Sequence, residues 1–239
     1  MARHYPVVIL PGHMCDQRAY RPQIDYLQKN HVVQVADLTA HDDIASMAEN
    51  TLRNAPDEFM LLGHSMGSIT ALELLRQAEP NRVKAAVLMS VNPRNETLER
   101  KAGREKIMEE VEKTSVQQII RKQFAPIYFH GDRPDLRSLS IKMAVDLGPE
   151  VMNRQATALM NRPNNIPLLN ALQIPVLLIG GEYDSLVPAA TLKNTARKIP
   201  NAELIILNDA AHFPGLERPE ITNNIIGTWI AQVENQADL

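Results

Sequence analysis

One serine of this chain lies in a motif that could make it a nucleophile. The pentapeptide GHSMG at residues 63–67 fits the pattern G-x-S-x-G, with apolar residues 59–62 before it and a helical pattern after it. A strand, a sharp turn and a helix in that order expose a serine hydroxyl at the top of a parallel sheet. The flanking glycines avoid a collision with the returning helix. We therefore predict that Ser65 is a nucleophile; the simpler alternative is that it only caps the helix.

A serine nucleophile needs a general base, which an acid in turn orients. Behind a nucleophile elbow the acid and then the histidine follow in chain order. Of the seven histidines, His212 is the one that follows the sixth apolar run, in a loop where we expect a mobile, solvent-reachable base. Asp184 follows the fifth apolar run and is the predicted acid, with Glu182 as the alternative.

Two backbone amides are needed to bind the oxyanion that forms during acyl transfer. The residue after the nucleophile, Met66, is predicted to provide the first N–H. The second is assigned to His13, with Met14 next, in the loop after the first apolar run. The side chain of His13 is expected to line the pocket. The single cysteine, Cys15, lacks a His/Asn set of its own and is not predicted to be a nucleophile.

Short apolar runs alternate with helical patterns, which predicts an α/β fold with a mostly parallel, six-stranded sheet and helices on both faces. Several runs are nearly continuous in Val, Ile and Leu, as is typical of parallel strands covered on both sides. The six runs are residues 5–10, 31–38, 58–63, 82–90, 174–180 and 202–207.

Residues 94–166 interrupt this alternation and contain no clear strand. They hold 13 of the 25 Lys/Arg and 10 of the 28 Asp/Glu, a net charge of +3, while the rest of the chain carries −6. We predict that they form an inserted helical cap on a core domain of residues 1–93 and 167–239. The alternative is a solvated helical surface that covers nothing.

An apolar pocket is predicted on the side of the cap. Methionine suits adaptable apolar pockets, although core packing explains the same residue types. The candidate substrate-binding residues are Met14, His64, Phe124, Tyr128, Phe129, Met143 and Met160.

Composition excludes several other classes of function. The 239 residues carry a formal charge of −3, so no basic footprint for nucleic acid is present. One cysteine allows neither an internal disulfide nor a multi-cysteine metal site, and no metal or cofactor is predicted. The first residues lack a signal-peptide pattern, and the apolar runs fall short of the ~20 residues of a membrane span. We expect a cytoplasmic monomer or homodimer that binds neither nucleic acid nor membrane.

Together these residues resemble the α/β-hydrolase superfamily. Residues 63–67 resemble its nucleophile elbow, Asp184 and His212 match its acid and base, and Pro11-Gly12-His13-Met14 resembles its oxyanion segment with Pro in place of His. The resemblance implies a serine hydrolase of the carboxylesterase kind, which cleaves a small or medium acyl ester through an acyl-enzyme and needs no cofactor.

Other activities of the same superfamily stay open. Lactonases, thioesterases, perhydrolases and carbon–carbon bond hydrolases use the same triad, although the loop PGHMC departs from the glycine-rich loop usual in the last group. A binding protein without catalysis is a further alternative, because fold alone does not give function. The basic insertion permits an acidic substrate or an acyl-carrier partner.

Overall fold

A six-stranded sheet with every strand parallel forms the centre of the protein, seen here in a computed structural model that describes residues 4–237. Each predicted run overlaps one strand, and the predicted α/β fold with a parallel, six-stranded sheet is confirmed. The strands are β1 (Val7–Leu10), β2 (Val33–Val35), β3 (Phe59–His64), β4 (Val83–Met89), β5 (Val176–Gly181) and β6 (Ala202–Leu207). Their spatial order is β2-β1-β3-β4-β5-β6, so the chain reverses its direction of travel across the sheet after β2.

Helices cover both faces of this sheet. They are α1 (Arg21–Leu27), α2 (Ile44–Asn54), α3 (Met66–Gln77), α4 (Leu98–Lys113), α5 (Val116–Ile119), α6 (Ala125–Tyr128), α7 (Pro134–Met160), α8 (Ile166–Leu169), α9 (Ala189–Ala196), α10 (Pro214–Glu217) and α11 (Pro219–Ala237). Within residues 4–237, none has the length and apolarity that a bilayer crossing requires.

Alternate residues along the strands feed two apolar clusters. Val8 and Leu10 of β1 pack with Leu72 of α3, whereas Val7 of β1 packs with Trp229 of α11 on the opposite face. This two-sided burial explains the continuous apolar runs, because a strand covered on both sides has no polar face.

Residues 98–160 are helical throughout apart from short connections, and no strand lies among them. Helix α7 is broken at Gly148, whose φ of +84° ends one helical arm before Pro149 begins the next. Gln155 of α7 accepts from the N–H of Met14 at 2.8 Å, which ties this segment to the loop after β1. The division into a core and an inserted cap stays a prediction, and residues 1–3 and 238–239 of that core lie outside the described residues.

The start of α3 passes very close to the end of β1. A Cβ atom on Gly67 would overlap the carbonyl of Leu10 and would lie 2.6 Å from that of Pro11. On the other side of the turn, a Cβ on Gly63 would lie 2.7 Å from Cα of Ser68. Both contacts are with backbone atoms, so no side chain can move aside to relieve them.

The close contact at Gly67 predicts a large stability effect. We expect Gly67→Ala to lower the free energy of unfolding by about 3 kcal/mol, because β1 and α3 must separate. Urea unfolding followed by circular dichroism measures this value. The matched control is Gly103→Ala in exposed α4, where a Cβ meets nothing within 4 Å, and we expect a gain of roughly 0.5–1 kcal/mol. Equal stabilities of the two variants would refute the packing argument.

Candidate active site

Ser65 lies at a sharp turn between β3 and α3. Its φ of +52° and ψ of −113° fall in a region that non-glycine residues rarely occupy. The N–H of Ser65 donates to the carbonyl of Met89 at 2.9 Å, which anchors the turn at the carboxyl end of the sheet. The Ser65 side chain makes no capping hydrogen bond to α3. Its position is therefore not explained by helix capping, the simpler alternative raised by the sequence.

A hydrogen-bonded chain joins the three predicted residues. Ser65 Oγ lies 2.9 Å from Nε2 of His212, and Nδ1 of His212 lies 2.9 Å from Oδ2 of Asp184. Because the Asp184 carboxylate can only accept, Nδ1 carries the proton and Nε2 is free to accept from the Ser65 hydroxyl. This is the arrangement that a general base next to a nucleophile requires.

Asp184 is fixed from both sides. Its Oδ1 accepts from the N–H groups of Leu186 and Val187, each at 2.9 Å, and its side chain is fully buried. Burial by itself would raise the pKa of this carboxyl, but the charge of His212 and its hydrogen bonds hold that pKa below the ordinary value. Glu182, the alternative acid, is exposed, and no hydrogen bond to His212 is described for it within residues 4–237.

His212 is held through its backbone. Its N–H donates to the carbonyl of Tyr128 at 3.0 Å, and its carbonyl accepts from Nε2 of His64 at 2.7 Å and from Ser90 Oγ at 3.2 Å. The residue is only 3% exposed. His212 is therefore more buried than a solvent-reachable loop residue was expected to be, because the ring of Tyr128 stacks on it with 5.9 Å between the ring centroids.

Glu217 is a buried acid that the sequence analysis missed. Its Oε2 accepts from the N–H groups of Ala211 and Phe213, at 2.9 and 3.1 Å, on either side of His212. Its Oε1 accepts from the N–H of His130 at 2.6 Å, which joins the same loop to the helical segment. Burial raises the pKa of this carboxyl. No pattern distinguishes Glu217 from an ordinary surface glutamate of a C-terminal helix.

His64 connects three loops and does not line the cavity, which corrects its assignment as a substrate contact. Its Nε2 donates to the His212 carbonyl, and its Nδ1 lies 3.1 Å from Tyr20 Oη. Tyr20 Oη in turn accepts from the N–H of Gly12 at 2.7 Å. Burial lowers the pKa of His64 to about 3, which keeps the ring neutral.

The two backbone amides predicted to bind the oxyanion, those of His13 and Met66, differ from the alternative amide of Met14 in their hydrogen bonds. Within residues 4–237, no hydrogen bond is described for the N–H of His13 or of Met66. The N–H of Met14 is already used by Gln155, so Met14 is unsuited to this task. Burial raises the pKa of the adjacent Cys15 thiol, which keeps it neutral and a poor nucleophile.

A cavity of about 460 Å³ opens beside Ser65 and His212. Phe124, Tyr128 and His13 are among the residues that line it. The remaining candidates require correction, since the structure does not place them among its lining residues; they are Met14, Phe129, Met143 and Met160. The first three are buried in apolar clusters. Apolar spacing in a helical segment does not tell which face meets a cavity and which meets the core.

Several polar side chains on the cavity wall were not predicted. They are Ser90, Asn92, Glu99, Arg100, Arg104, Gln123 and Arg162. The net charge of residues 94–166 was the available signal, but it does not show which of their cations point inward.

One cluster of metal-ligand type lies far from this cavity. The ligand atoms of His4, His31 and Glu234 lie within 4.8 Å of one another. Nδ1 of His4 and Nε2 of His31 lie 3.1 and 3.2 Å from the Glu234 carboxylate. His4 and His31 precede β1 and β2, so the cluster lies at the amino end of the sheet, opposite Ser65.

Comparisons with known proteins agree with this geometry. A family model described as alpha/beta hydrolase fold matches residues 7–219. A pimeloyl-[acyl-carrier protein] methyl ester esterase of Legionella pneumophila (strain Corby) is 25% identical over 242 residues, which cover 94% of this chain and 95% of that protein.

Solved structures show the same fold. An esterase from Thermogutta terrifontis, solved with malate bound, is similar with a TM-score of 0.87 and 23% identity, covering 98% of this chain and 92% of that chain. An enol-lactonase from Burkholderia xenovorans LB400 has a TM-score of 0.84 and 19% identity, covering 96% of this chain and 92% of that chain. At these identities the likeness is one of fold.

The two buried histidines predict a steep loss of stability in mild acid. Burial, and for His13 also the charge of Arg104, lowers the pKa values of His13 and His64 from 6.5 to about 3. Between those pH values the unfolded chain binds more protons, so stability is fully present above pH 6.5 and decreases as pH decreases. Each histidine contributes up to about 1.4 kcal/mol per pH unit.

Urea unfolding at pH 5 to 6 tests this expectation. We expect His13→Asn to reduce the slope of unfolding free energy against pH by up to ~1.4 kcal/mol per unit. Ser65→Ala keeps both histidines and should keep the slope of the natural chain. An unchanged slope in His13→Asn would contradict the burial argument.

Proposed function

The chain belongs to the alpha/beta hydrolase family, and from this we propose that it is a serine hydrolase that cleaves a carboxylic ester of a small or medium acyl group. At the level of the family it is a hydrolase acting on ester bonds, as its esterase relatives are named. The observation that carries the proposal is the continuous hydrogen-bonded chain from Ser65 through His212 to Asp184, with 2.9 Å at both links.

The proposed reaction proceeds in two halves. Ser65 Oγ attacks the ester carbonyl carbon while His212 Nε2 takes the hydroxyl proton, and Asp184 stabilises the imidazolium that results. The amides of His13 and Met66 bind the oxyanion. His212 then gives its proton to the leaving alcohol. A water that His212 deprotonates hydrolyses the acyl-enzyme, which restores Ser65 and releases the acid.

We also propose that residues 94–166 serve as the cap of this site. Three observations support this: the cavity is lined by Phe124 and Tyr128 of this segment, the carbonyl of Tyr128 binds the N–H of His212, and the N–H of His130 binds Glu217. Because these contacts hold the loop of the base, the segment does more than cover the sheet. The cavity of about 460 Å³ is of a size that suits small and medium acyl groups.

Two finer alternatives have some support. The enol-lactonase is similar in fold, and a lactone is an internal ester that the same chemistry opens. An acyl-carrier partner agrees with the net charge of +3 on residues 94–166 and with the name of the Legionella relatives.

Replacement of the nucleophile tests the proposal directly. We expect the natural chain to hydrolyse p-nitrophenyl esters in a series from acetate to decanoate, and Ser65→Ala to lose at least about 10³-fold in kcat. Release of p-nitrophenolate is followed by absorbance. Ser138→Ala, which removes an exposed serine of α7, is the matched control and should retain full activity.

The same pair of variants separates catalysis from binding. A fluorophosphonate probe should label the natural chain and Ser138→Ala, but not Ser65→Ala, in intact-mass spectra. Full turnover in Ser65→Ala would exclude Ser65 as the nucleophile. If the natural chain shows no turnover and is not labelled by the probe, a binding protein on this fold is favoured instead.

A second comparison tests the assignment of the acid. We expect Asp184→Asn to lower kcat about 10³- to 10⁴-fold, because the amide stabilises the wrong histidine tautomer and cannot balance the imidazolium. Glu182→Gln changes an exposed carboxylate two residues away and should leave kcat within about twofold, as surface changes usually do. Both are measured on the best p-nitrophenyl ester. A larger loss in Glu182→Gln than in Asp184→Asn would reverse the assignment.

A further inference from the structure

Two arginines from opposite ends of the helical segment meet at one buried carboxylate. Glu96, which precedes α4, has a side chain that is 1% exposed. Its Oε2 accepts from Arg104 Nε at 3.1 Å, and its Oε1 accepts from Arg162 Nη2 at 3.2 Å. Arg104 lies in α4 and Arg162 follows α7. These two residues, the arginine pair, therefore connect the beginning and the end of the helical segment through Glu96.

The arginine pair carries more charge than its partner neutralises. The side chains of Arg104 and Arg162 are 15% and 4% exposed, yet they share the single negative charge of Glu96. Arg162 Nε is buried and has no hydrogen-bond partner among the described residues. Arg100 adds a third cation at 3.4 Å from Glu96, but its side chain is 38% exposed and screened by solvent. Two guanidinium groups that share one carboxylate leave positive charge uncompensated, which is unfavourable away from water unless a further anion binds.

Desolvation does not remove this surplus charge. Burial lowers the pKa of Arg104, and it lowers the pKa of Arg162 to about 10. Arginine side chains keep their proton in proteins at neutral pH, so both groups remain charged.

The arginine pair faces the cavity that contains the reactive serine. Arg104 and Arg162 line the same cavity of about 460 Å³ as Ser65 and His212. The charge of Arg104 also reaches His13, whose pKa it lowers. Of the acids near this cavity, Glu99 is exposed at its rim, and Asp184 is already bound to His212 and to two backbone amides. Neither of these carboxylates pairs with Arg104 or Arg162.

We propose that Arg104 and Arg162 form a binding site for a carboxylate of the substrate, so that the natural substrates are esters that carry a free carboxylate. Guanidinium groups bind carboxylates through short, directional, charge-assisted hydrogen bonds. The ester end of the same molecule reaches Ser65 within the one cavity. This inference rests on the proposed ester hydrolysis and adds the substrate class.

A matched pair of substrates tests the proposal. Monomethyl adipate and methyl hexanoate have acyl chains of equal length and differ in the terminal carboxylate. Acid release is followed by pH-stat titration. We expect kcat/KM for monomethyl adipate to exceed that for methyl hexanoate by at least about 10-fold, and Arg104→Gln or Arg162→Gln to abolish this preference by raising KM.

The neutral substrate reveals damage to the fold. A misfolded variant loses turnover of both substrates, so the readout is the ratio of their kcat/KM values within each variant, which Arg104→Gln should bring close to that of an enzyme without preference. Arg104→Lys, which keeps the charge, retains part of the preference. The matched control is Arg197→Gln in the exposed part of the chain after α9, which should keep the preference in full. Equal kcat/KM for both substrates in the natural chain would overturn the carboxylate site and leave the esterase proposal intact.

A binding measurement keeps the two proposals separable. Adipate is titrated calorimetrically into Ser65→Ala, which needs no turnover. We expect Arg104→Gln in this background to weaken the adipate Kd at least about 10-fold, and Arg197→Gln to leave it unchanged. Binding of adipate without ester hydrolysis by the natural chain would support the site and refute the esterase. No adipate binding, or tighter binding of inorganic phosphate than of adipate, would overturn the assignment to a carboxylate.

Discussion

The turn at Ser65 is the constraint on which the rest of the structure depends. A non-glycine residue with φ of +52° persists only where its surroundings fix it. Here β1 and α3 meet at Gly67 with no room for a side chain, and the N–H of Ser65 is anchored on β4. The parallel sheet therefore holds the strained turn in place, and the Ser65 hydroxyl bonds to His212 and not to the helix that follows it.

Around that turn, buried hydrogen bonds unite loops that are far apart in sequence. His64, next to the serine, is bound to the carbonyl of His212 and, through Tyr20, to the loop after β1. Glu217 binds the amides on both sides of His212 and one amide of the helical segment. The position of His212 is thus set by neutral or fully bonded groups, which agrees with the role of a general base proposed for it.

The cavity beside these fixed loops also has an excess of positive charge on part of its wall. Its wall beside Ser65 is apolar at Phe124 and cationic at Arg104 and Arg162. A buried ion pair adds little net stability, and two arginines sharing one carboxylate add less still. The arrangement is understandable if a substrate supplies the missing negative charge. The two cations that would bind a substrate carboxylate therefore lower the stability of the helical segment. Glu96 offsets only part of this cost.

The six parallel strands could be predicted from the residue pattern alone, and so could the turn at Ser65 and the order in which Ser65, Asp184 and His212 follow three of the strands. These follow from local causes, since apolar runs, glycine positions and loop locations are properties of neighbouring residues. The burial of His64, Met14, Met143 and His212 is visible only once the chain is folded, and so are the positions of Glu217 and the arginine pair beside the site. Those outcomes depend on which faces of distant helices pack together. The spacing of apolar residues identifies the buried face of a helix, but not the element that packs against it.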